Sequence, residues 1–195
     1  MSHPDAALHR YTVRRYLALV RSGVLRSDDP VELLDGLIVA EPPANPPHAS
    51  AISRIDAALR GALGEGAIVR VQQPFEAGRY SLPEPDVAVV PGRLEDYDGA
   101  HPREALLVVE VADSSLPQDR LTKLPIYAAA GVPEYWIVNL AERCVEVFRR
   151  PWPTRRRYAV AHVARAGEAI DLVAVDRACV RVGDLLPARR VSGRR

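Results

Sequence analysis

The sequence predicts one mixed α/β (α+β) domain, and three observations support this prediction. The chain has 195 residues, of which 48% are hydrophobic and 26% charged, the composition of a soluble globular domain with an adequate core. Short, continuous apolar runs at 86–90 and 105–111 are typical of strands that are buried on both faces. The segment 48–63 is predicted to be a helix, because its apolar side chains fall on one stripe: Ile52, Ile55, Leu59 and Leu63.

The N-terminal part of the domain is expected to contain a helix, a hairpin and a second helix, in that order. Segment 12–20 has the apolar spacing of a short amphipathic helix. In segment 31–41, Asp35-Gly36 separates two apolar runs, which is the strongest short-range signal for a β-hairpin. A proline-rich link then leads into the helix at 48–63.

The rest of the domain is expected to be mostly strands, with one further helix. That helix covers 116–130 and ends at Gly131, and a polar loop occupies 91–103. Strands besides the two buried runs are predicted at 67–75, 134–140, 144–150, 157–163 and 170–175. The predicted division is a flexible N-terminus at 1–11, a single domain at 12–187 and a disordered basic tail at 188–195.

The charge balance excludes some classes of protein. A net charge of +1 argues against nucleic-acid binding by bulk electrostatics, although a local basic cleft stays open. No stretch approaches the ~20 apolar residues of a membrane span, and the first ten residues hold no apolar signal core, so we expect a cytoplasmic protein. Cys144 and Cys179 have no metal-type spacing and are expected to be reduced thiols, without a structural zinc site.

Only one of the 26 basic residues is a lysine, Lys123; all the others are arginines. Such a bias indicates a genome that favours arginine codons, since most surface positions accept either residue. The lysine that persists is therefore a candidate for a task that arginine fills poorly, such as placing a compact ammonium group beside a phosphate.

Three residues form the candidate site: Asp86 after a proline, Glu110 inside an apolar strand and Lys123 on the next helix. A carboxylate in a buried strand needs a partner, because it loses its hydration. If the two strands are neighbours, both carboxylates can converge on a hard divalent cation. The alternatives are that Asp86 is a turn residue and that Lys123 pairs with Asp119 on the helix surface, for about 0.3–0.5 kcal/mol.

Several ordered motifs carry a resemblance to a known family. PEPDVAVV, LLVVEVADSS and DRLTKLPIYAAAGVPEYWIVNL, together with ELLDG at 32–36 and a histidine after the prolines, resemble the Uma-two (Uma2) family of restriction-endonuclease-type proteins, within the PD-(D/E)xK nuclease superfamily. The resemblance covers roughly 12–187. It implies a restriction-endonuclease-like fold with a central mixed sheet flanked by helices, extra C-terminal strands, and metal-dependent cleavage of phosphodiesters.

The resemblance also implies roles for particular residues. Asp86 and Glu110 are implied as ligands of Mg²⁺ (or Mn²⁺), with the Val111 carbonyl completing the shell. Lys123 is implied as the catalytic lysine, since Ala112 occupies the position two residues after the acid where the superfamily pattern has its lysine. Glu32 is carried over as an additional catalytic acid that reaches a metal or its water, with an exposed residue of a hairpin strand as the alternative. His48 is carried over as an accessory neighbour of the site, with a helix-start residue or a buried donor as the alternative.

Two positions depart from the family pattern. Asn139 stands where an aspartate is usual, and Pro125 falls inside the helix that presents Lys123, where it removes a hydrogen bond and can clash with the Leu121 carbonyl. Pro125 and the near-neutral net charge keep open a second hypothesis, an inactive nuclease-fold module that binds nucleic acid or a protein.

DNA is the expected substrate, and a homodimer is expected because symmetric cutting of a duplex calls for two sites. The late strands and the N-terminal helix offer apolar surface for such a dimer. A run of arginines near an exposed tryptophan is a candidate contact to nucleic acid, with a solvated hairpin turn as the equal alternative: Arg155, Arg156 and Arg157.

Overall fold

A six-stranded mixed sheet forms the centre of the protein, seen in a computed structural model that describes residues 9–26, 28–41 and 43–188. Its strand order is β3-β4-β5-β6-β7-β8. All neighbouring pairs are antiparallel except β5 and β6, which are parallel. The strands are β3 (Ala67–Val71), β4 (Val87–Pro91), β5 (Leu107–Ala112), β6 (Glu134–Asn139), β7 (Cys144–Trp152) and β8 (Arg157–Arg165). The predicted fold class is confirmed.

Helices cover both faces of this sheet. α2 (Pro46–Ala62) packs through Ile55 and Leu59 against the face that carries Val109 and Val111. The opposite face carries Val108 and Ala112 and packs against the helix that joins β5 to β6. Since side chains alternate along a strand, Glu110 points to this second face, between two apolar neighbours.

The connection from β5 to β6 contains one continuous helical run, 116–129, whose winding changes along its length. α3 (Leu116–Gln118) passes into a π-helical turn (Asp119–Lys123) and then into α4 (Leu124–Ala129). The Leu124 N–H donates to the Asp119 carbonyl, five residues back, and Pro125 stands in the first turn of α4. Pro125 has no N–H to donate to the preceding turn, and the helix departs from α geometry directly before it, so the irregularity expected at this proline takes the form of a π turn.

A hairpin and a helix form a smaller layer beside the sheet. α1 (Val13–Arg21) begins at Thr12, whose side chain accepts from the Arg15 N–H. β1 (Val31–Leu34) and β2 (Leu37–Ala40) pair antiparallel. The turn between them has positive φ at Asp35 (47°) and Gly36 (85°), as a tight two-residue hairpin turn requires. The predicted helix and hairpin are confirmed.

Several predicted elements have different bounds in the structure. β3 stops at Val71, because Gln72 adopts a positive φ of 48° and turns the chain away. α2 begins before His48, since the Asn45 side chain accepts the His48 N–H and caps the helix. At the C-terminal end the strand predicted over 170–175 is shorter, and it pairs with a strand that the pattern did not indicate; the elements there are β9 (Ala169–Asp171), β10 (Cys179–Arg181) and α5 (Val182–Leu185).

Residues 1–8 and 189–195 lie outside the described part of the chain, so the predicted flexible N-terminus and basic tail stay predictions. Within the described ranges, Tyr11 donates its N–H to the Gly36 carbonyl. Both cysteines are free thiols. None of the helices in the described ranges is long and apolar enough to cross a bilayer.

Candidate functional site

A cavity of about 240 Å³ opens where β4 begins and β5 ends, between the hairpin, the start of α2 and the π turn. The fold brings to it all five side chains that the sequence analysis singled out for the site: Glu32, His48, Asp86, Glu110 and Lys123. These residues come from five different elements or loops, so only the folded chain puts them together.

Glu110 and Lys123 form the buried centre of this cavity. The Lys123 Nζ lies 3.1 Å from Glu110 Oε1, and the two side chains are only 5% and 4% exposed. Tyr127 donates its hydroxyl hydrogen to the same Oε1 at 2.6 Å. Lys123 and Tyr127 are four residues apart and therefore project from one side of the helix. The helix after β5 thus supplies the ammonium group, since the residue two positions after Glu110 on the strand is Ala112.

Asp86 lies directly before β4 and is fixed by the neighbouring strand. The Val111 N–H donates to Asp86 Oδ2 at 2.8 Å, and the Asp86 N–H lies 3.4 Å from Glu110 Oε2. The antiparallel pairing of Val87 with Val109 creates these contacts, since it aligns the start of β4 with the end of β5. The expectation that the two carboxylate-bearing strands are neighbours is confirmed.

Glu32, on β1, joins the same ionic cluster. Its Oε1 lies 3.3 Å from Lys123 Nζ, and its Oε2 accepts the Glu84 N–H at 3.2 Å. Gln118 also donates to Oε1, at 3.4 Å. The side chain is 1% exposed, so Glu32 is a fully buried member of the site.

His48 contacts the site from the first turn of α2. Its Nε2 lies 3.2 Å from Asp86 Oδ2. This hydrogen bond is the main reason that the pKa of His48 lies above its ordinary value, with burial acting in the opposite direction. The other ring nitrogen, Nδ1, is buried without a hydrogen-bond partner among the described residues.

Three further acidic side chains lie in or beside the cavity, and the sequence patterns did not assign them to the site. Burial is the main reason that the pKa of Glu41 rises to about 7 and that of Asp119 to about 6. Burial likewise raises the pKa of Glu84. Nothing in the local sequence distinguishes these acids from solvated ones, because their positions depend on how the hairpin and the π turn pack.

Burial and the neighbouring charges also shift the pKa values of the two central residues, Glu110 and Lys123. Burial raises the pKa of Glu110 well above its ordinary value. Lys123 acts in the opposite direction, and the neighbouring carboxylates raise the pKa further: Asp86, Asp119 and Glu32. Burial alone would lower the pKa of Lys123, but the carboxylates around it outweigh that effect and hold the pKa above its usual range. Lys123 is therefore a charged ammonium group at neutral pH.

The donor set suits a hard divalent cation. Carboxylates outnumber cationic side chains around the cavity, and three of them add to the effect of burial on the pKa of Glu110: Asp86, Asp119 and Glu32. In the described ranges no three His, Cys, Asp or Glu side chains are grouped closely enough to hold an ion by themselves. A cation here would therefore use two carboxylates, a backbone carbonyl and water, which are ligands that Mg²⁺ accepts.

Asn139, one of the two positions that depart from the family pattern, lies outside the cavity. Asn139 donates to Glu146, which also binds Arg120, so the substitution at 139 belongs to a neighbouring network.

The alternative in which Lys123 forms a surface ion pair with Asp119 is wrong. Lys123 pairs with Glu32, Glu41 and Glu110, and no ion pair within 4.0 Å joins it to Asp119.

The arginine run at the β7–β8 hairpin does not line the cavity either. Arg156 pairs with Asp35 at 2.6 Å, while Arg155 and Arg157 lie over the Trp152 ring, at 4.4 and 5.2 Å from its centroid. Both halves of the earlier alternative, contact to nucleic acid and a solvated turn, stay open for these three residues.

The acidic groups predict how the stability of the metal-free protein depends on pH. A carboxyl group whose pKa is raised by folding stabilises the fold below its ordinary pKa, and this stabilisation is lost as the pH rises through the raised value, about 7 for Glu41. We expect the melting temperature in EDTA to rise from about pH 8 to about pH 6. Glu41→Gln should raise it at the higher pH and flatten the dependence. The effect is modest because 38% of the Glu41 side chain is exposed.

The control for this experiment is Glu95→Gln, since Glu95 is an exposed acid outside the cavity. It should leave the pH dependence as in the unaltered protein. A melting temperature that falls from about pH 8 to about pH 6 would contradict the assignment of Glu41 and Asp119.

Comparison with known proteins identifies a family and a shared fold. The sequence profile of the Uma2 family, described as "Putative restriction endonuclease", matches residues 13–177. Among solved structures, the chain is similar to one described as a "putative nuclease belonging to DUF820" from Anabaena variabilis, with a TM-score of 0.70 and 16% sequence identity. The similarity covers 89% of this chain and 96% of that one, and it shows a shared fold. No curated protein matches the chain.

Proposed function

Because the chain belongs to the Uma2 family, we propose that it is an endonuclease that hydrolyses phosphodiester bonds of DNA with Mg²⁺ or Mn²⁺. The observation that carries the proposal is the convergence of Asp86, Glu110 and Lys123 in one cavity. Two carboxylates that can hold a cation and one buried ammonium group can together stabilise the charge that develops during phosphodiester hydrolysis.

Asp86, Glu110 and the Val111 carbonyl are the proposed ligands of the cation. A cation held by these ligands would supply Lewis acidity toward an oxygen of the phosphodiester. The chain's own contribution is to fix the ligands: the Val111 N–H holds Asp86 Oδ2, and the Tyr127 hydroxyl holds Glu110 Oε1. Fixed ligands lower the cost of ordering the site when a cation and substrate arrive.

Lys123 is the proposed catalytic lysine. Its ammonium group keeps its proton, since the surrounding carboxylates hold its pKa above the usual range. It therefore acts as a hydrogen-bond donor and a positive charge, which orients the attacking water or offsets charge that develops on the phosphate. Abstraction of a proton from water falls to another group, because a charged ammonium has no lone pair.

Glu32 and His48 act as positioning residues in this proposal. Glu32 lies 3.3 Å from Lys123 Nζ and so sets where the amine points. His48 lies 3.2 Å from Asp86 Oδ2 and restrains that carboxylate from the side of α2. A homodimer stays a prediction, on the ground that cutting both strands of a duplex needs two sites.

Replacing Asp86 by asparagine tests the proposal. Purified protein is incubated with supercoiled plasmid and Mg²⁺ or Mn²⁺, and nicked and linear products are quantified. We expect cleavage in the unaltered protein and a loss of about 10²- to 10³-fold in Asp86→Asn, because the amide keeps the shape of the side chain but removes a ligand charge. The control is Asp98→Asn, an exposed acid outside the cavity, which should cleave normally.

Equal cleavage by Asp86→Asn and the unaltered protein would contradict the residue assignment. Calorimetric titration with Mn²⁺ supplies a second readout that does not depend on cleavage. A protein that neither cuts plasmid nor binds Mn²⁺ below the millimolar range would be the inactive nuclease-fold module instead.

A further inference from the structure

A second, larger groove lies between α1 and the loop at 76–80, with a volume of about 890 Å³. We call it the α1 groove. The function proposed above uses none of its residues. Six arginines line it, against a single acidic residue, Glu76: Arg10, Arg14, Arg15, Arg21, Arg79 and Arg103.

Much of this positive charge is not neutralised within the protein. Arg14, Arg21 and Arg79 are exposed, and none of them has a carboxylate oxygen within 4.0 Å in the described ranges. Two others are paired, Arg10 with Asp35 at 3.6 Å and Arg103 with Glu76 at 3.1 Å. The groove therefore holds an excess of cationic side chains although the whole chain carries a net charge of only +1.

The sequence of α1 explains why these charges face outward. The helix reads VRRYLALVR and contains no acidic residue, while Val13 and Tyr16 are its buried side chains. Across the groove, the Tyr80 ring has Arg10 at 4.5 Å and Arg79 at 5.3 Å from its centroid. Cation–π contacts hold guanidinium groups in place and leave their N–H donors available.

The groove is connected to the candidate active site through two short paths. Tyr16 of α1 donates its hydroxyl hydrogen to the Val31 carbonyl, next to Glu32 in sequence. Four residues further along the chain from Tyr80, the Glu84 N–H donates to Glu32 Oε2. Four extended residues span at most about 14 Å, so Tyr80 lies within a few nucleotide steps of the cavity edge.

We propose that the α1 groove binds the phosphate backbone of duplex DNA and guides it to the cavity. This inference rests on the proposed nuclease function. Guanidinium groups bind phosphates with two parallel hydrogen bonds, and a row of unneutralised arginines is the usual basis of sequence-independent DNA binding. A lipid surface fits less well, because it requires apolar side chains beside the charges and α1 buries Val13 and Tyr16 against the hairpin.

The test is a binding measurement with the full chain in EDTA, so that cleavage does not interfere. The fluorescence anisotropy of a labelled DNA duplex of about two helical turns gives Kd at several salt concentrations. The groove variant replaces Arg14, Arg21 and Arg79 by glutamine. The matched control replaces Arg165, Arg177 and Arg181 by glutamine: these are exposed arginines outside the groove, and the substitutions lower the net charge by the same three units.

We expect the groove variant to bind at least about 10-fold more weakly, with a slope of log Kd against log salt that is smaller by about 2–3. The control variant should keep both values. Equal losses in the two variants, an unchanged slope in the groove variant, or no binding by the unaltered protein would each overturn the inference. Binding to vesicles of anionic lipid that depends on the groove, without such dependence for DNA, would overturn it in favour of a membrane.

Plasmid cleavage separates this inference from the proposed function. If the groove variant loses DNA binding and the unaltered protein cuts no plasmid, the inference stands and the nuclease assignment fails. If the unaltered protein cuts plasmid and the groove variant binds DNA as well as it does, the nuclease assignment stands and the inference fails.

Discussion

Lys123→Arg should reduce plasmid cleavage by about 10²- to 10³-fold while leaving metal binding and the fold largely intact. The Lys123 ammonium group lies 3.1 Å from Glu110 and 3.3 Å from Glu32 in a site that is almost closed to solvent. Arginine keeps the positive charge, so the carboxylates stay compensated. Its planar, larger guanidinium group does not fit the same point between them, and the strain of overpacking costs about 1–3 kcal/mol of stability.

The measurements are initial rates of plasmid cleavage, the melting temperature and a calorimetric titration with Mn²⁺. Leu121→Ala serves as the control, because Leu121 lies on the same π turn but is 77% exposed. It should cleave at the normal rate. Normal cleavage by Lys123→Arg would show that only the charge matters at this position, and normal cleavage by Lys123→Ala as well would remove Lys123 from the catalytic set.

Glu110→Gln should abolish cleavage and also abolish the stabilisation of the protein by divalent cations. A cation that binds only the folded state stabilises it by about 2.7 kcal/mol at a concentration about 100 times its Kd. The glutamine keeps the size of the side chain but not the charge, so this stabilisation is lost. In EDTA the variant should melt no lower than the unaltered protein, because burial and neighbouring carboxylates already disfavour the charged form and raise the pKa of Glu110.

Glu146→Gln provides a matched control, since Glu146 is also a buried glutamate but lies outside the cavity. It binds Arg120 at 2.6 Å and Asn139 at 3.1 Å, so its replacement should lower the melting temperature. The shift on adding Mn²⁺ should nevertheless persist in this variant. A Mn²⁺ shift that is retained in Glu110→Gln and lost in Glu146→Gln would place the cation elsewhere.

Much of the fold was readable from local patterns. The hairpin at Asp35-Gly36 follows from the backbone conformations that these two residues tolerate, and α2 follows from its apolar stripe. The errors occurred where a distant partner decides the outcome. β9 and β10 are three-residue strands that exist through their pairing with each other, and Phe75 continues an apolar alternation although the chain has already turned at Gln72.

For the candidate site, the sequence by itself determined which residue types are out of place: a carboxylate in an apolar strand and a single lysine among arginines. Only the tertiary structure decided what surrounds them, including Glu41, Glu84 and Tyr127. The reason is that burial and charge act through space, so the pKa of Glu110 depends on residues from several separate segments.

Because charges act through space, the net charge of the chain does not tell how charge is distributed over its surface. The near-balance of basic and acidic residues is fixed by the sequence and argues against bulk attraction to nucleic acid. The α1 groove exists because folding gathers arginines from α1, the 76–80 loop and the segment before β5 onto one surface while their acidic counterparts collect around the cavity. A sum over the sequence contains no positions, so only the folded chain shows that the two kinds of charge lie on different surfaces.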